Sequence, residues 1–266
     1  VFNKVINYDH HEFVSKILEF NKKFIQDTCE SIFHGDLYFL KNAIKNNEVS
    51  YIIDEVYKFN KDNESTFYKM KEKVPNFHRW IDSNSTAGYS IKHVKHSTFL
   101  FHWNKDIGNV NKIICNVCRP LKLLSGLSFF EYEKNTPKDL IIERTQVVRY
   151  PPGGYIEPHL DNNRLIRFII SGYLSTKGID YDDGGFYVIS SDNKKLELEQ
   201  FIKSGDVGVF FASLRHGLDT IDKNKEAIKG QKDGRWWFGY NIHNSDEIKE
   251  KDRVVANPYD IKNSKS

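Results

Sequence analysis

The chain has 266 residues, enough for a well-buried core in one enlarged domain. Its 39 basic and 36 acidic residues leave a net charge of +3, too weak a field to gather nucleic acid or an anionic membrane, so a small or neutral partner is expected. No apolar run approaches the ~20 residues that span a bilayer, the N-terminal segment lacks the apolar core of a secretory signal, and three cysteines do not make a disulfide framework, which together point to the cytoplasm.

In chain order, the spacing of Phe13, Ile17, Phe20, Phe24 and Ile25 predicts a helix that starts at an Asp9 cap, with Glu12 in the capping-box position. Tyr51, Ile52, Val56 and Phe59 predict a second helix, and Val110, Ile113, Ile114, Val117 and Leu121 a third. Cys115 and Cys118 form a C-x-x-C there, but no second pair exists and their apolar neighbours make them core residues. The β-branched and aromatic run 96–103 predicts a strand. Residues 1–140 therefore read as a mostly helical elaboration.

From Ile141 the pattern changes to short β-like runs, at Ile141–Tyr150, Leu165–Ser175, Gly185–Ile189, Gly205–Phe211 and Arg235–His243. Turns rich in Pro, Gly and Asp separate them at 151–154 and 182–185, a rhythm that suits a sandwich or barrel over 141–245. A charged peripheral tail over 246–266 completes a single domain.

His159 and Asp161 lie two apart, so on an extended chain they share a face, and a second strand can deliver His216. Two imidazoles and one carboxylate form a facial triad that leaves half of an octahedral metal open, the arrangement of non-haem Fe(II) oxygenases. His93, His96 and His102 have no carboxylate partner identifiable from sequence and read as structural.

The ordered segments Val148-Arg-Tyr-Pro-Pro-Gly-Gly-Tyr-Ile-Glu-Pro-His-Leu-Asp161, Gly172-Tyr-Leu-Ser175, Asp183-Gly-Gly-Phe186, Gly205-Asp-Val-Gly-Val-Phe-Phe211, His216-Gly217 and Gly234-Arg235 resemble the prolyl-hydroxylase-like branch of the Fe(II)/2-oxoglutarate dioxygenases. The resemblance implies an α+β chain with a double-stranded β-helix, or jelly-roll, core and N-terminal helices packed on its major sheet. It implies Fe(II) on His159, Asp161 and His216, with 2-oxoglutarate and O2 as co-substrates. It also places Arg235 at the far carboxylate of 2-oxoglutarate, where a planar guanidinium can donate two parallel hydrogen bonds, with Tyr150 within reach of the same group. Lys223, Lys225, Lys229 and Lys232 in the preceding loop are alternative cations. Related radical halogenases carry a small residue where this chain has Asp161, so hydroxylation is the expected outcome.

A second, looser resemblance joins Phe77-His-Arg-Trp80, Lys95-His-Ser97, Glu143-Arg-Thr-Gln-Val-Val-Arg-Tyr150 and Asp180-Tyr-Asp-Asp-Gly-Gly-Phe186 to enzymes that hydroxylate or halogenate free amino acids, especially lysine. It implies a free basic amino acid as substrate, with Arg79 and Glu143 as its charged contacts and the inward-facing member of Trp236 and Trp237 as a pocket wall. Asn162, Asn163, Arg164 and Arg167 are further candidates for substrate or water contacts. Two readings stand beside it: a peptidyl hydroxylase of the same fold, and a non-enzymatic metal-binding sensor, against which Arg235 weighs.

Overall fold

A computed structural model describes residues 1–161, 165, 167–226 and 230–248. Its strands are β1 (Val5–Asp9), β2 (Leu37–Lys41), β3 (Phe77–Ile81), β4 (His93–Phe101), β5 (Ile141–Tyr150), β6 (Tyr155–His159), β7 (Phe168–Tyr173), β8 (Gly185–Ile189), β9 (Lys195–Glu197), β10 (Val207–Phe211), β11 (His216–Asp219) and β12 (Arg235–Asn244). Its α-helices are α1 (His10–Leu18), α2 (Lys22–Phe33), α3 (Asn46–Asp62) and α4 (Val110–Cys118).

The α-helices of the described residues all precede residue 140, as expected, but so do four strands, of which only β4 was expected. The single helix predicted through Ile25 is two. Phe20 takes a positive φ of 53° that ends α1, and the Asn21 side chain then caps α2 by accepting the Phe24 N–H at 3.0 Å. Asp9 caps α1 through the Glu12 N–H at 3.0 Å, while the Glu12 carboxylate turns to Tyr8 and Lys16 instead of closing the box.

The strands run in the order β1-β2-β10-β7-β12-β5-β4-β6-β11-β8-β9, with β3 paired to β4 off this path. Only β1 and β2 pair in parallel among the registers of the described strands. Strand β4 is the hinge of the architecture: residues 96–101 pair with β5 in the major sheet, and His93 and Val94 pair with β6 in the minor one. The result is a jelly roll of two facing sheets.

Alternation along β5 decides what lies on each side. Val147 joins Phe13, Ile52, Ile114 and Phe238 in the core between the helices and the outer face of the major sheet. Val148 and Tyr150 point the other way, toward Leu218 and Ile221. Burying each such Leu, Ile or Phe contributes roughly 1.5–3 kcal/mol, so this helical layer fixes the major sheet while its inner face remains open to a cavity. No helix of the described residues is long and apolar enough to cross a membrane. All three cysteines are free, and Cys115 and Cys118 are buried in α4, as the core reading expected.

Candidate active site

His159 ends β6 and His216 begins β11, and the two residues face each other directly across that ladder. Asp161 continues the extended chain beyond β6 and is tied by its N–H to the Ala212 carbonyl at 3.1 Å. Its carboxylate oxygens then lie 3.9 Å from His159 Nε2 and 3.6 Å from His216 Nε2. The three donor atoms fall within 4.8 Å of one another.

Both imidazoles are oriented by the backbone. His159 Nδ1 lies 2.9 Å from the Glu157 carbonyl and His216 Nδ1 lies 2.8 Å from the Leu214 carbonyl. A carbonyl accepts, so each Nδ1 carries the proton and each Nε2 turns a lone pair toward Asp161. Burial, reinforced by His216, pushes His159 well below the usual imidazole range against the opposing pull of Asp161, which keeps it neutral. Phe210 and Phe186 pack at 5.1 and 5.8 Å from the His216 ring and restrict its rotation. Neutral imidazoles, an anionic oxygen and convergent geometry fit a divalent iron ion.

The triad borders a cavity of about 360 Å³ between the two sheets, a size suited to small molecules. Arg235 lines it at the start of β12, opposite Tyr150 on β5. Gly234 makes this possible: its φ is +107°, and a Cβ there would collide with the Tyr150 carbonyl. Tyr150 and Trp237 also line the cavity, whereas Trp236 packs into the helix-side core.

Sequence reasoning missed the partner of Arg235. Its Nε donates to Glu199 Oε1 at 2.9 Å and its Nη2 to Oε2 at 3.2 Å, and Glu199 also accepts from the Tyr181 hydroxyl and from the Phe186 N–H at 2.5 Å. Burial alone would lower the guanidinium, but Glu199 reverses this and holds it firmly protonated. The pair fixes the arginine beside the cavity and balances its formal charge. Nothing in the order of residues marked Glu199, which lies in a short 3-10 turn at Glu199–Phe201.

Neither charged candidate for substrate contact lines the cavity. Glu143 faces the helices, is fully buried, and lies 2.6 Å from both Lys122 Nζ and His102 Nε2. His102 thus has the carboxylate partner that the sequence did not reveal. Arg79 is stacked on Phe67 and Tyr89 at 4.7 and 5.3 Å and does not line the cavity. Arg144, the neighbour of Glu143 on the other face of β5, does line it, as does Lys95 on β4. Lys223, Lys225 and Lys232 pair with aspartates and line no part of this cavity. Lys229, Asn162, Asn163, Arg164 and the tail from residue 249 lie outside the described residues, and Arg167 is exposed.

No protein-family model matches the sequence, and no curated protein matches it. Solved structures do. A prolyl hydroxylase from Trichoplax adhaerens, in complex with a hypoxia inducible factor peptide fragment, matches with a TM-score of 0.52 at 13% identity over 84% of this chain and 91% of that one. A full-length protein from Neurospora crassa, in complex with α-ketoglutarate and thymine, matches with a TM-score of 0.51 at 14% identity over 95% of this chain and 93% of that one. The same protein with α-ketoglutarate and 5-formyluracil gives 0.52 at 14% identity, over 91% and 84%. The chain shares its fold with these proteins. Within this fold, the converged triad lies between the two sheets, beside the cavity that Arg235 borders.

Proposed function

We propose that the chain is an Fe(II)- and 2-oxoglutarate-dependent oxygenase that hydroxylates an unactivated C–H bond of a small molecule. The observation that carries this reading is the convergence of His159, Asp161 and His216, each Nε2 free for a metal, on a cavity bordered by a fixed arginine. Iron bound there supplies oxygen activation, in which one atom of O2 enters succinate as 2-oxoglutarate loses CO2 and the other enters the substrate as hydroxyl. His159 and His216 would hold the metal through Nε2, and Asp161 would complete the protein's share with a carboxylate oxygen, which favours hydroxylation over halogenation. Arg235, braced by Glu199, receives the far carboxylate of 2-oxoglutarate, with Tyr150 beside it. Trp237 and the apolar inner faces of Ile169, Phe186 and Phe210 exclude water around the C–H bond.

A free amino acid remains the substrate class that the sequence resemblance suggests, but lysine fits the cavity poorly. Asp161 is the one carboxylate among the described residues that line it, and that group is assigned to the metal. Both ammonium groups of lysine would then be buried without a counter-charge, beside Lys95 and Arg144.

The test is direct. Protein purified without oxygen is loaded with Fe(II) and 2-oxoglutarate, supplied with O2 and a panel of free amino acids and other small molecules, and assayed for succinate and for products heavier by one oxygen. Succinate in amounts matching a hydroxylated product is expected. Absence of succinate under all conditions, with Fe(II) binding unchanged in His159→Ala, would overturn the reading.

A further inference from the structure

We infer that Lys95 and Arg144 form a subsite for a carboxylate on the molecule that is hydroxylated, an inference that rests on the oxygenase reading above. The cavity face of β5 carries Tyr150, Val148, Gln146 and Arg144 in succession. Tyr150 pairs with Arg235, and Arg144 pairs with Asn241, six residues further along β12. At ~3.4 Å per residue the two arginines are anchored roughly 20 Å apart, so Arg144 serves a different part of the cavity from Arg235.

The cations of the cavity differ in how they are neutralised. Arg235 has Glu199 in a two-pronged contact. Among the described residues Arg144 has no carboxylate at contact distance: its guanidinium meets His243 Nε2 at 2.9 Å, Gln146 Oε1 at 3.2 Å and Met70 S at 3.5 Å, stacks on Phe99 at 4.8 Å, and leaves Nε without a partner among them. Asp246 acts on it only through space. Lys95 has no hydrogen bond or ion pair with any described residue and lies within electrostatic reach of both Arg144 and Asp161. Burial, with Arg144 adding to it, lowers the Lys95 ammonium to about 8.

Charge counting then selects the ligand. Fe(II), Asp161 and dianionic 2-oxoglutarate together leave one negative charge, and Arg235 is cancelled by Glu199. Lys95 and Arg144 add two positive charges, so the filled cavity keeps one in excess. A single carboxylate removes it, and the arginine fork and the lysine point charge are complementary donors for its two oxygens. A buried cation without a counter-ion is costly, which makes an anionic substrate group the natural partner.

The decisive measurement is binding without turnover. The full chain, loaded anaerobically with Fe(II) and 2-oxoglutarate, is titrated calorimetrically with free α-amino acids and with straight-chain acids from butyrate to octanoate, each compared with its primary amide. At least one acid is expected to bind about tenfold or more tightly than its amide. Lys95→Met and Arg144→Gln, with Arg144→Lys as the conservative control, should abolish that preference while retaining the parent's affinity for Fe(II) and 2-oxoglutarate. Amides binding as well as acids, a panel in which no acid binds, or variants that keep the preference would overturn the subsite and leave the oxygenase reading standing. Failure of the parent to bind Fe(II) or 2-oxoglutarate would remove both.

Discussion

On its helix-facing side, β5 presents Glu143, fully buried between Lys122 and His102, each 2.6 Å away. On its cavity-facing side, one residue later, it presents Arg144, which touches no carboxylate of the described residues. Burial raises the Glu143 carboxyl, but its bonds from His102 and Lys122 more than offset this and hold it below the usual carboxylate range. Burial acts unopposed by any contact on Arg144, whose guanidinium falls to about 10, with Asp246 offsetting part of the shift from a distance. His102, Cys115 and Glu143 also converge closely enough to suggest a metal. Lys122 already supplies the cation there, and burial with the nearby Glu143 keeps the Cys115 thiol protonated at about 12, a poor ligand. Charge that is satisfied within the protein serves architecture, and charge left unsatisfied beside a cavity marks where a ligand belongs.

That contrast can be broken at several points. The largest expected effect is at the triad: His216→Ala should reduce succinate formation to the protein-free background and remove tight Fe(II) binding, with unfolding by denaturant little changed. Glu143→Gln should do the reverse. Leaving Lys122 buried without its partner is expected to cost about 3–5 kcal/mol of unfolding free energy, with Fe(II) and 2-oxoglutarate affinity intact. A stable variant that instead loses substrate binding would return Glu143 to the active site.

Arg235→Gln is expected to raise the KM for 2-oxoglutarate roughly 10- to 100-fold, from the loss of a charge-assisted contact. Lys95→Met should stabilise the ligand-free protein by on the order of 1–3 kcal/mol, because it removes a desolvated, unpaired ammonium. A loss of stability in that variant would mean that Lys95 is satisfied within the fold.

The smallest effect is in pH dependence. Free Lys95 titrates near 8 and a bound carboxylate raises that value, so acid affinity should be level below pH 8 and fall above it, by up to about tenfold per pH unit. Arg144, near 10, stays charged across most of that window. Titrations at successive pH values would show the slope in the parent and its absence in Lys95→Met.

Much of the fold was legible where local chemistry decides it. Strands Ile141–Tyr150 and Gly185–Ile189 have the ends that their turn residues suggested, and the Asp9 cap forms. Strands β1, β2 and β3 were not legible, because each gains its meaning from a partner far away in sequence: Leu37 pairs with Val5, Leu40 with Val207, and Phe77 with Phe99. The break at Phe20 was hidden because apolar spacing continues through it on both sides.

The sequence by itself determined that two histidines and an aspartate could share a metal, since a two-residue spacing on an extended chain puts His159 and Asp161 on one face whatever surrounds them. The family resemblance also marked Arg235, behind Gly234, as the cation for 2-oxoglutarate. Only the tertiary structure decided which face of β5 meets the cavity. Alternation gives two faces without saying which is inward, and a shift of one residue exchanges an acid for a base, Glu143 for Arg144. The helices packed on one side of the major sheet and the minor sheet on the other settle that choice, and so put Arg144, not Glu143, beside the cavity.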